Sequence, residues 1–506
     1  MIHLFKVRMV SSAKDNVATV LDSGYITQGS KVDEFETQLK DYFSWPWLLT
    51  LNSATSGLTL AYRLLDITPG DSVISTPLTC FATTCGILAN TKHIVWADND
   101  PTTCNIDLDD VEKKLTEDTK ALSFVAWGGT PVDLERVYSI QDYAKEKYNI
   151  DLGVVQDCAH GFGALWDGKK LGTDGRTIAV YSMQAIKHLT TGDGGIILLP
   201  NEEMYERAKR LRWFGIDRDR RSKPGSDFRL EPDIPEAGFK MHLTDINASI
   251  GLANLPGIDD VIRQHRTNAD FYNERLQGLQ TYELLIDDSR ALSSYWIYTL
   301  KIKNGLKHEF TDFMTANNIV VSQVHARNDR HSCVKDLQVN LPQLDILERE
   351  IVCIPVGWWI TDENREYIVE KMIEFDRVYS LNIEHLQEHE RDEYRELLHH
   401  FNGHTGDKRD FPVEGIYVLK IGCKIVSSAK LVIEEKVYEP LGHIEDIVTH
   451  PSHRGRGYGK KLVKYMCRLG IDKGCYKVIL NAKNILRSFY EECGMVEVGN
   501  TFEIRK

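Results

Sequence analysis

The stretch GVVQDCAHGFGALWDGKKLGTDGRTIAVYSMQAIKHLTTGDGG, residues 153–195, decides the fold. Its first run, GVVQD, is apolar until it ends on Asp157 and gives way to a glycine-rich turn. Its second, TIAVY, leads into a polar, glycine-rich loop that carries Lys187. Short apolar runs bounded by turn residues read as strands buried on both faces, as in a parallel sheet covered by helices. Working outward, LLTLN precedes a helical stretch containing Gly57, SVIST precedes TTCGILAN, HIVWAD precedes DVEKKL, and ALSFVAW precedes IQDYAKEK. That alternation from about residue 47 to 200 predicts an α/β sheet with ligands at the carboxyl ends of its strands. Apolar spacing near three and four marks residues 244–280 and 361–377 as helical. SSYWIYTLKIK supplies a strand between them, so a smaller α+β lobe is expected to follow.

At 506 residues the chain exceeds the roughly 250–300 at which a single core stops growing, so at least two domains are expected. Past a charged stretch from Arg391 to His400, read as a solvated helix, the runs IYVLKIG, KIVSSAKLVIEE and HIEDIVT predict a second, smaller α/β domain. No Gly/Ser-rich or Pro-rich linker separates the two, so the join near residue 378 should be short and stiff, giving domains 1–378 and 379–506. Hydrophobic residues at 42% and charged residues at 27% are those of a folded, water-soluble protein. With 61 Lys+Arg against 74 Asp+Glu the net charge is −13, which offers no broad basic surface, and nucleic acid is not an expected partner. The ten cysteines are dispersed, without a C-x-x-C pair or a metal-like spacing, so reduced thiols, no metal and a cytoplasmic location are expected. No leader is read at the start, and no apolar run reaches the roughly 18 residues of a membrane span.

A lysine becomes a nucleophile toward carbonyls when its surroundings lower its pKa, and pyridoxal phosphate (PLP) chemistry uses such a lysine. Lys187 sits where its amine could face a cleft, although a lone lysine in such a loop is more commonly a solvated surface group. Asp157, ending a buried strand, could keep a pyridine nitrogen protonated, or it could be a helix cap. In LNSATSGL, small hydroxyl residues and Gly57 lie where a strand yields to a helix. Backbone N–H groups there could bind a phosphate, and a plain capping sequence would look the same.

Taken together, GYITQGSKVDEFE (24–36), NSATSGL (52–58), STPLTCFATT (75–84), NDPTTCNID (99–107), QDCAHGFGA (156–164), YSMQAIKHLTTGDGG (181–195) and GFKMHLTDINASIG (238–251) resemble one family. It is that of the PLP-dependent nucleotide-sugar aminotransferases of the StrS/DegT type, with the type I aminotransferase fold. The resemblance covers roughly residues 15–375 and implies that Lys187 forms the Schiff base and Asp157 partners the pyridinium nitrogen. It places His160 beside the cofactor, Phe81 stacked on its ring, and Thr55 and Ser182 at its phosphate, assisted by backbone N–H groups near Ser56. Where many relatives have an asparagine that reaches the partner subunit's phosphate, this chain has Lys240 and then His242, and a contact across a homodimer is still implied. QVHARNDRHSCVKD (323–336) falls where relatives present a substrate-contacting histidine, which nominates His331, with Arg327 as a second candidate for the diphosphate of the sugar nucleotide. Glutamate is the implied amino donor.

A second constellation, HPSHRGRGYGKKL (450–462), follows the strand HIEDIVT and opens an amphipathic helical segment. Gly455, Gly457 and Gly459 free backbone N–H groups to converge on an anion at a helix start. With Arg454 they resemble the pyrophosphate loop of the GNAT acetyltransferases. GHIEDIVTHPSHRGRGYGKKL, GCYKVIL, FYEECGM and FEIRK are similar to glucosamine-6-phosphate N-acetyltransferase over about residues 380–506. This implies acetyl-CoA as co-substrate, Tyr490 as proton donor to the departing thiolate, and Glu445 and Asp446 as the acidic pair near the acceptor. Asn481-Ala482 and Leu486 depart from that pattern near the expected acceptor pocket, which puts glucosamine 6-phosphate in doubt.

An aminotransferase makes a primary amine and an N-acetyltransferase consumes one. The expected whole is therefore a bifunctional amino-sugar enzyme that aminates a nucleotide-linked keto-deoxy sugar and then acetylates an amino sugar. Two alternatives stand beside it. The second domain could be an independent glucosamine-6-phosphate N-acetyltransferase, or the first half could be a non-catalytic module that dimerises and senses a ligand.

Overall fold

A computed structural model of the chain describes residues 1–218, 233–379, 381–402, 412–482, 486–498 and 501–505. They form two compact units. One comprises residues 1–277, 284–301 and 314–369, the other residues 278–283, 302–313 and 370–506.

The first unit is built on seven strands, β1 (Leu48–Leu51), β2 (Ser72–Ser75), β3 (His93–Trp96), β4 (Thr119–Val125), β5 (Gly153–Asp157), β6 (Ile178–Ser182) and β7 (Gly195–Leu198). Their order in the sheet is β1-β7-β6-β5-β4-β2-β3. Strands β2 to β6 pair in parallel, while β7 runs antiparallel to β1 and β6. Successive strand residues point to opposite faces. Val154, Ala179, Tyr181 and Ile196 join a core with Val32 and Phe35 of helix α1 (Ser30–Phe43). Val155, Ile178, Val180 and Ile197 join a second core with Leu58, Ala61 and Tyr62 of α2 (Ala54–Leu64) and Ile87 of α3 (Phe81–Leu88). Burial on both sides is why these strands read as unbroken apolar runs.

Helix α4 (Leu134–Tyr148) returns the chain from β4 to β5, and α5 (Glu202–Leu211) follows β7. The helical stretch expected at 244–280 is two helices, α6 (Asp245–Asn254) and α7 (Ile258–Leu276), divided by a single 3-10 turn that contains Pro256. Proline has no backbone N–H to continue the helical ladder. Strands β8 (Tyr298–Ile302) and β9 (Ile351–Ile354) pair antiparallel from Tyr298↔Ile354 to Lys301↔Ile351.

The second unit holds another seven-stranded sheet, of β10 (Leu381–His385), β11 (Ile416–Ile421), β12 (Lys424–Glu434), β13 (Leu441–Thr449), β14 (Lys477–Asn481), β15 (Val496–Val498) and β16 (Thr501–Arg505). Their order is β10-β11-β12-β13-β14-β16-β15. Helix α8 (Arg391–Asn402) is amphipathic rather than wholly solvated: Tyr394 and Leu397 are buried with Val418, Ile425 and Val448 on one face. Helix α9 (Tyr458–Asp472) packs Leu462, Val463 and Met466 against Leu419, Val426 and Leu431 on the other. The short helix α10 (Arg487–Glu491) precedes β15. Strands β13 and β14 pair in parallel, over Leu441–His443 and Lys477–Ile479.

Candidate active sites

Asp157 ends the central strand β5 and is 2% exposed. Its Oδ2 accepts from the Thr83 hydroxyl at 2.6 Å and its Oδ1 from the Ala159 N–H at 3.0 Å. Thr83 lies on the first turn of α3, and its oxygen is 2.8 Å from that of Thr79. Burial raises the carboxyl above its ordinary range, opposed by the bonds from Thr83 and Ala159 and by the charge of Lys187.

Lys187 sits in the loop between β6 and β7. Burial of its amine lowers the pKa to about 7, against the attraction of Asp157 and Cys80. The Nζ lies 3.4 Å from the centroid of the Trp296 indole, a close cation–π contact. The indole N–H of Trp296 in turn donates to Ile186 O at 2.9 Å, which holds the loop beside Lys187. Phe5 and His160 stack on Trp296 with centroids at 4.9 Å and 4.0 Å. His160 is 1% exposed. Its Nδ1 is buried without a protein partner, and its Nε2 is 3.5 Å from Nε2 of His325.

The phosphate candidates also converge. Ser53 caps α2, its hydroxyl accepting the Ser56 N–H at 3.1 Å and donating to the Ser56 hydroxyl at 3.0 Å, so Thr55 and Ser56 form the helix's first turn. Ser182, ending β6, pairs with Gly195 of β7. A Cβ on Gly195 would lie 2.4 Å from Ser53 O, so only glycine lets this strand back onto the start of α2. Phe81 opens α3, and its ring meets that of His331 edge-on at 5.0 Å.

One candidate is placed differently from what its role suggested. Arg327 is 4% exposed, with its guanidinium bonded to Asp329 and Asp345 and 3.6 Å from Glu348, so its charge is engaged within the fold. Lys240 is exposed, and its own carbonyl lies 3.5 Å from the Asn52 amide, so its segment runs beside the start of α2 of the same chain. Thr83, Trp296 and His325 were missed. Thr83 lies within the quoted STPLTCFATT, Trp296 within a segment read only as a strand, and His325 six residues before the histidine that was chosen.

In the second unit a cleft of about 600 Å³ is lined by Ile447, Thr449, Arg454, Gly455, Gly457 and Gly459 on one side. Leu486, Phe489 and Tyr490 line it as well. Gly455 and Gly457 have φ of 79° and 83°, the left-handed region that a side chain disfavours, and α9 begins at the next residue. Arg454 Nε donates to Thr449 O at 3.1 Å, tying the loop to the end of β13. Burial raises the Tyr490 phenol above its ordinary value, so it keeps its proton at neutral pH. Glu445 and Asp446 are exposed on β13 outside this lining. Asp446, at φ 49°, lies with Ile447 in a bulge of β13, where these two residues face the single Ala429 of β12, and its charge helps to raise the Tyr394 phenol, after burial, to about 12. The bulge thus turns Asp446 toward α8.

A partly buried lysine coupled by charge to a buried aspartate at the carboxyl edge of a seven-stranded α/β sheet is the arrangement of a PLP-type aminotransferase, and a glycine-loop cleft at the start of a helix is that of a CoA-dependent acyltransferase. The sequence pattern of the DegT/DnrJ/EryC1/StrS aminotransferase family matches residues 8–373, and the chain belongs to that family. The pattern of the acetyltransferase (GNAT) family matches residues 375–495. The chain is therefore a sugar aminotransferase that also carries a GNAT acetyltransferase domain. Aminotransferases of this family use PLP, and GNAT domains use acetyl-CoA.

Among solved structures, AtS13 from Actinomadura melliaura is 44% identical with a TM-score of 0.69, over 73% of this chain and 98% of that one. The sugar aminotransferase CalS13 from Micromonospora echinospora is 39% identical with a TM-score of 0.70, over 74% and 99%. GDP-perosamine synthase of Escherichia coli O157:H7 is 27% identical over 380 residues, 72% of this chain and 99% of that protein. Among the described residues no helix is long and apolar enough to cross a membrane.

Proposed function

We propose that the chain is a bifunctional amino-sugar enzyme, with residues 1–378 aminating a nucleotide-linked 4-keto-6-deoxyhexose at the expense of glutamate and residues 379–506 acetylating an amino sugar. The observation that carries the first half is the Lys187 amine held over the Trp296 indole, close enough to the buried Asp157 for each charge to act on the other. The residues present fit PLP. Asp157, with two donors on its oxygens, would hold the ring nitrogen, the unpartnered Nδ1 of His160 would offer a bond to a ring substituent, and Phe81 would cover the ring. Thr55, Ser182 and the N–H groups around Ser56 take the phosphate, with Lys240 supplied by the second subunit of a homodimer. When bound, PLP supplies an electron sink and carries the amino group from donor to acceptor.

Around it, Lys187 does the proton work. At pH values above about 7 its amine is largely uncharged and takes a proton from substrate carbon, and the Trp296 face steadies the ammonium so formed. His331, exposed beside Phe81, faces the sugar nucleotide. With its charge engaged by carboxylates, Arg327 orders that loop instead of binding diphosphate.

In the second half Arg454 and the glycine loop hold the diphosphate of acetyl-CoA. The sugar amine attacks the thioester carbonyl, the C–S bond breaks, Tyr490 gives its proton to the leaving thiolate, and the proton shed by the amide nitrogen restores the phenol. Of the acidic pair, Glu445 is the one left to draw in the amine, since Asp446 is turned toward α8. Leu486 in the cleft wall favours a deoxy-sugar nucleotide over glucosamine 6-phosphate.

The test is to incubate the protein with PLP, glutamate, acetyl-CoA and a panel of UDP-, dTDP- and GDP-linked 4-keto-6-deoxy sugars, reading products by mass. An N-acetylated amino sugar from one of them is expected. Amination without acetylation, together with a higher kcat/KM for glucosamine 6-phosphate, would give the second domain an independent role. Absence of any amination would leave the first half a binding module.

A further inference from the structure

His325 lies against the first site with no role yet assigned. It enters on a strained turn: Val324, a β-branched residue, has φ 70°, and the His325 N–H donates to Gln323 O at 2.9 Å across it. This is the rare three-residue turn with a positive central φ. Such strain persists only where the surroundings over-determine it, and it clusters at functional positions. Here Ser322 is pinned to Cys353 of β9 by backbone bonds of 2.7 and 3.2 Å, and its hydroxyl accepts the Val324 N–H at 3.0 Å. The result aims the His325 ring parallel to that of His160, with centroids 5.5 Å apart and planes 5° apart.

Two neutral imidazoles that share one hydrogen bond through their Nε2 atoms have two arrangements. Either His325 donates and His160 accepts, which leaves the His160 proton on Nδ1, or the reverse. Burial and the neighbouring Lys187, His325 and His188 keep His160 singly protonated. It can therefore present an N–H at the buried, unpartnered Nδ1 only if its Nε2 is an acceptor, and His325 is the donor within reach.

We propose that His325 is a positioning residue that fixes the tautomer of His160, so that Nδ1–H points at an oxygen acceptor bound in the pocket. The identity of that acceptor rests on the PLP reading above, while the tautomer itself belongs to the protein alone.

The experiment uses the full chain with 15N-labelled histidine, first without cofactor, with the His160 signals assigned by their loss in His160→Asn. We expect Nδ1 of His160 to carry the proton in the wild type and in His325→Gln, whose amide N–H replaces the donor, and a mixture of tautomers in His325→Phe. With PLP bound, a hydrogen bond to the ring oxygen favours its ionised form. The pH midpoint of the cofactor's absorbance should therefore rise by about one unit in His325→Phe and return toward wild type in His325→Gln. Melting temperatures of the two variants show whether each is folded. A wild-type His160 protonated on Nε2, or a tautomer unmoved in a folded His325→Phe, overturns the proposal. Borohydride fixing the cofactor on a lysine other than Lys187 would defeat the PLP reading and leave the tautomer result standing.

Discussion

Burial brings the Lys187 amine near neutrality, and this has a measurable sign. Between about pH 7 and its ordinary value of 10.5 the folded chain holds this lysine neutral while the unfolded chain keeps it charged. The unfolded state then binds more protons, so the group makes folding more favourable as pH rises through that window. The cofactor-free protein should gain melting temperature relative to Lys187→Met between pH 7 and 10, and a parallel pair of curves would mean the amine is solvated. In the other site, Tyr490→Phe should lower the acetyl-transfer kcat by roughly 100-fold with little change in KM for acetyl-CoA. Arg454→Glu should instead raise that KM by at least about tenfold, because it removes an anion contact and adds repulsion. Steady-state kinetics with each variant separate the two roles. Lys187, Asp157 and Tyr490 could be nominated from sequence because the chemistry proposed for them demands one residue type in one kind of segment. Thr83, Trp296 and His325 were not, since a threonine on a helix, a tryptophan at a strand start and a histidine in a loop act here through partners 74, 109 and 165 positions away. Arg327 shows the converse limit. Its charge is visible in the sequence, but the aspartates that engage it are visible only once the loop is folded.

At the scale of elements, the proposed phosphate cradle depends on how closely β7 approaches the start of α2. The Ser53 backbone cannot retreat as a flexible side chain would, so Gly195→Ala should push strand and helix apart. We expect a stability loss of about 1–3 kcal/mol by urea denaturation and a weaker hold on cofactor measured by fluorescence titration. Unchanged cofactor affinity would show that the cradle is not where α2 begins. Strands β1 to β6 and β11 to β13 were readable because each carries an apolar run, whereas β7, β10, β14, β15 and β16 and the helix limits were less so. Pro256 breaks a stretch whose apolar spacing runs straight through it, and α8 looked solvated because Tyr394 and Leu397 are outnumbered by the charges around them. The direction of Asp446 lay beyond sequence reading, since it comes from one extra residue in β13 that shows only once the strand is paired with β12.

For the whole molecule, the two sets of motifs are each complete within their own segment. A fragment ending at Arg377 should aminate, as a dimer in light scattering, without acetylating, and one starting at Val378 should bind acetyl-CoA without PLP. Loss of both activities on separation would mean that the halves need each other. That the chain carries two units was plain from its length and from two separate strand rhythms. How the chain is shared out was less plain, because segments 278–283 and 302–313 cluster with the second unit although they lie far upstream of it. The parting of β13 and β14 has a consequence of another kind. Among the described residues their ladder spans three pairs and stops at His443 and Ile479, so the sheet is an unfinished one whose inner edges invite any extended chain. Whatever fills the wedge seals it, and a ligand held at 100 times its dissociation constant adds about 2.7 kcal/mol to stability. In a cell short of acetyl donor, the same protein should be more easily cut by proteases and more prone to clump, tying its lifetime to the carbon supply.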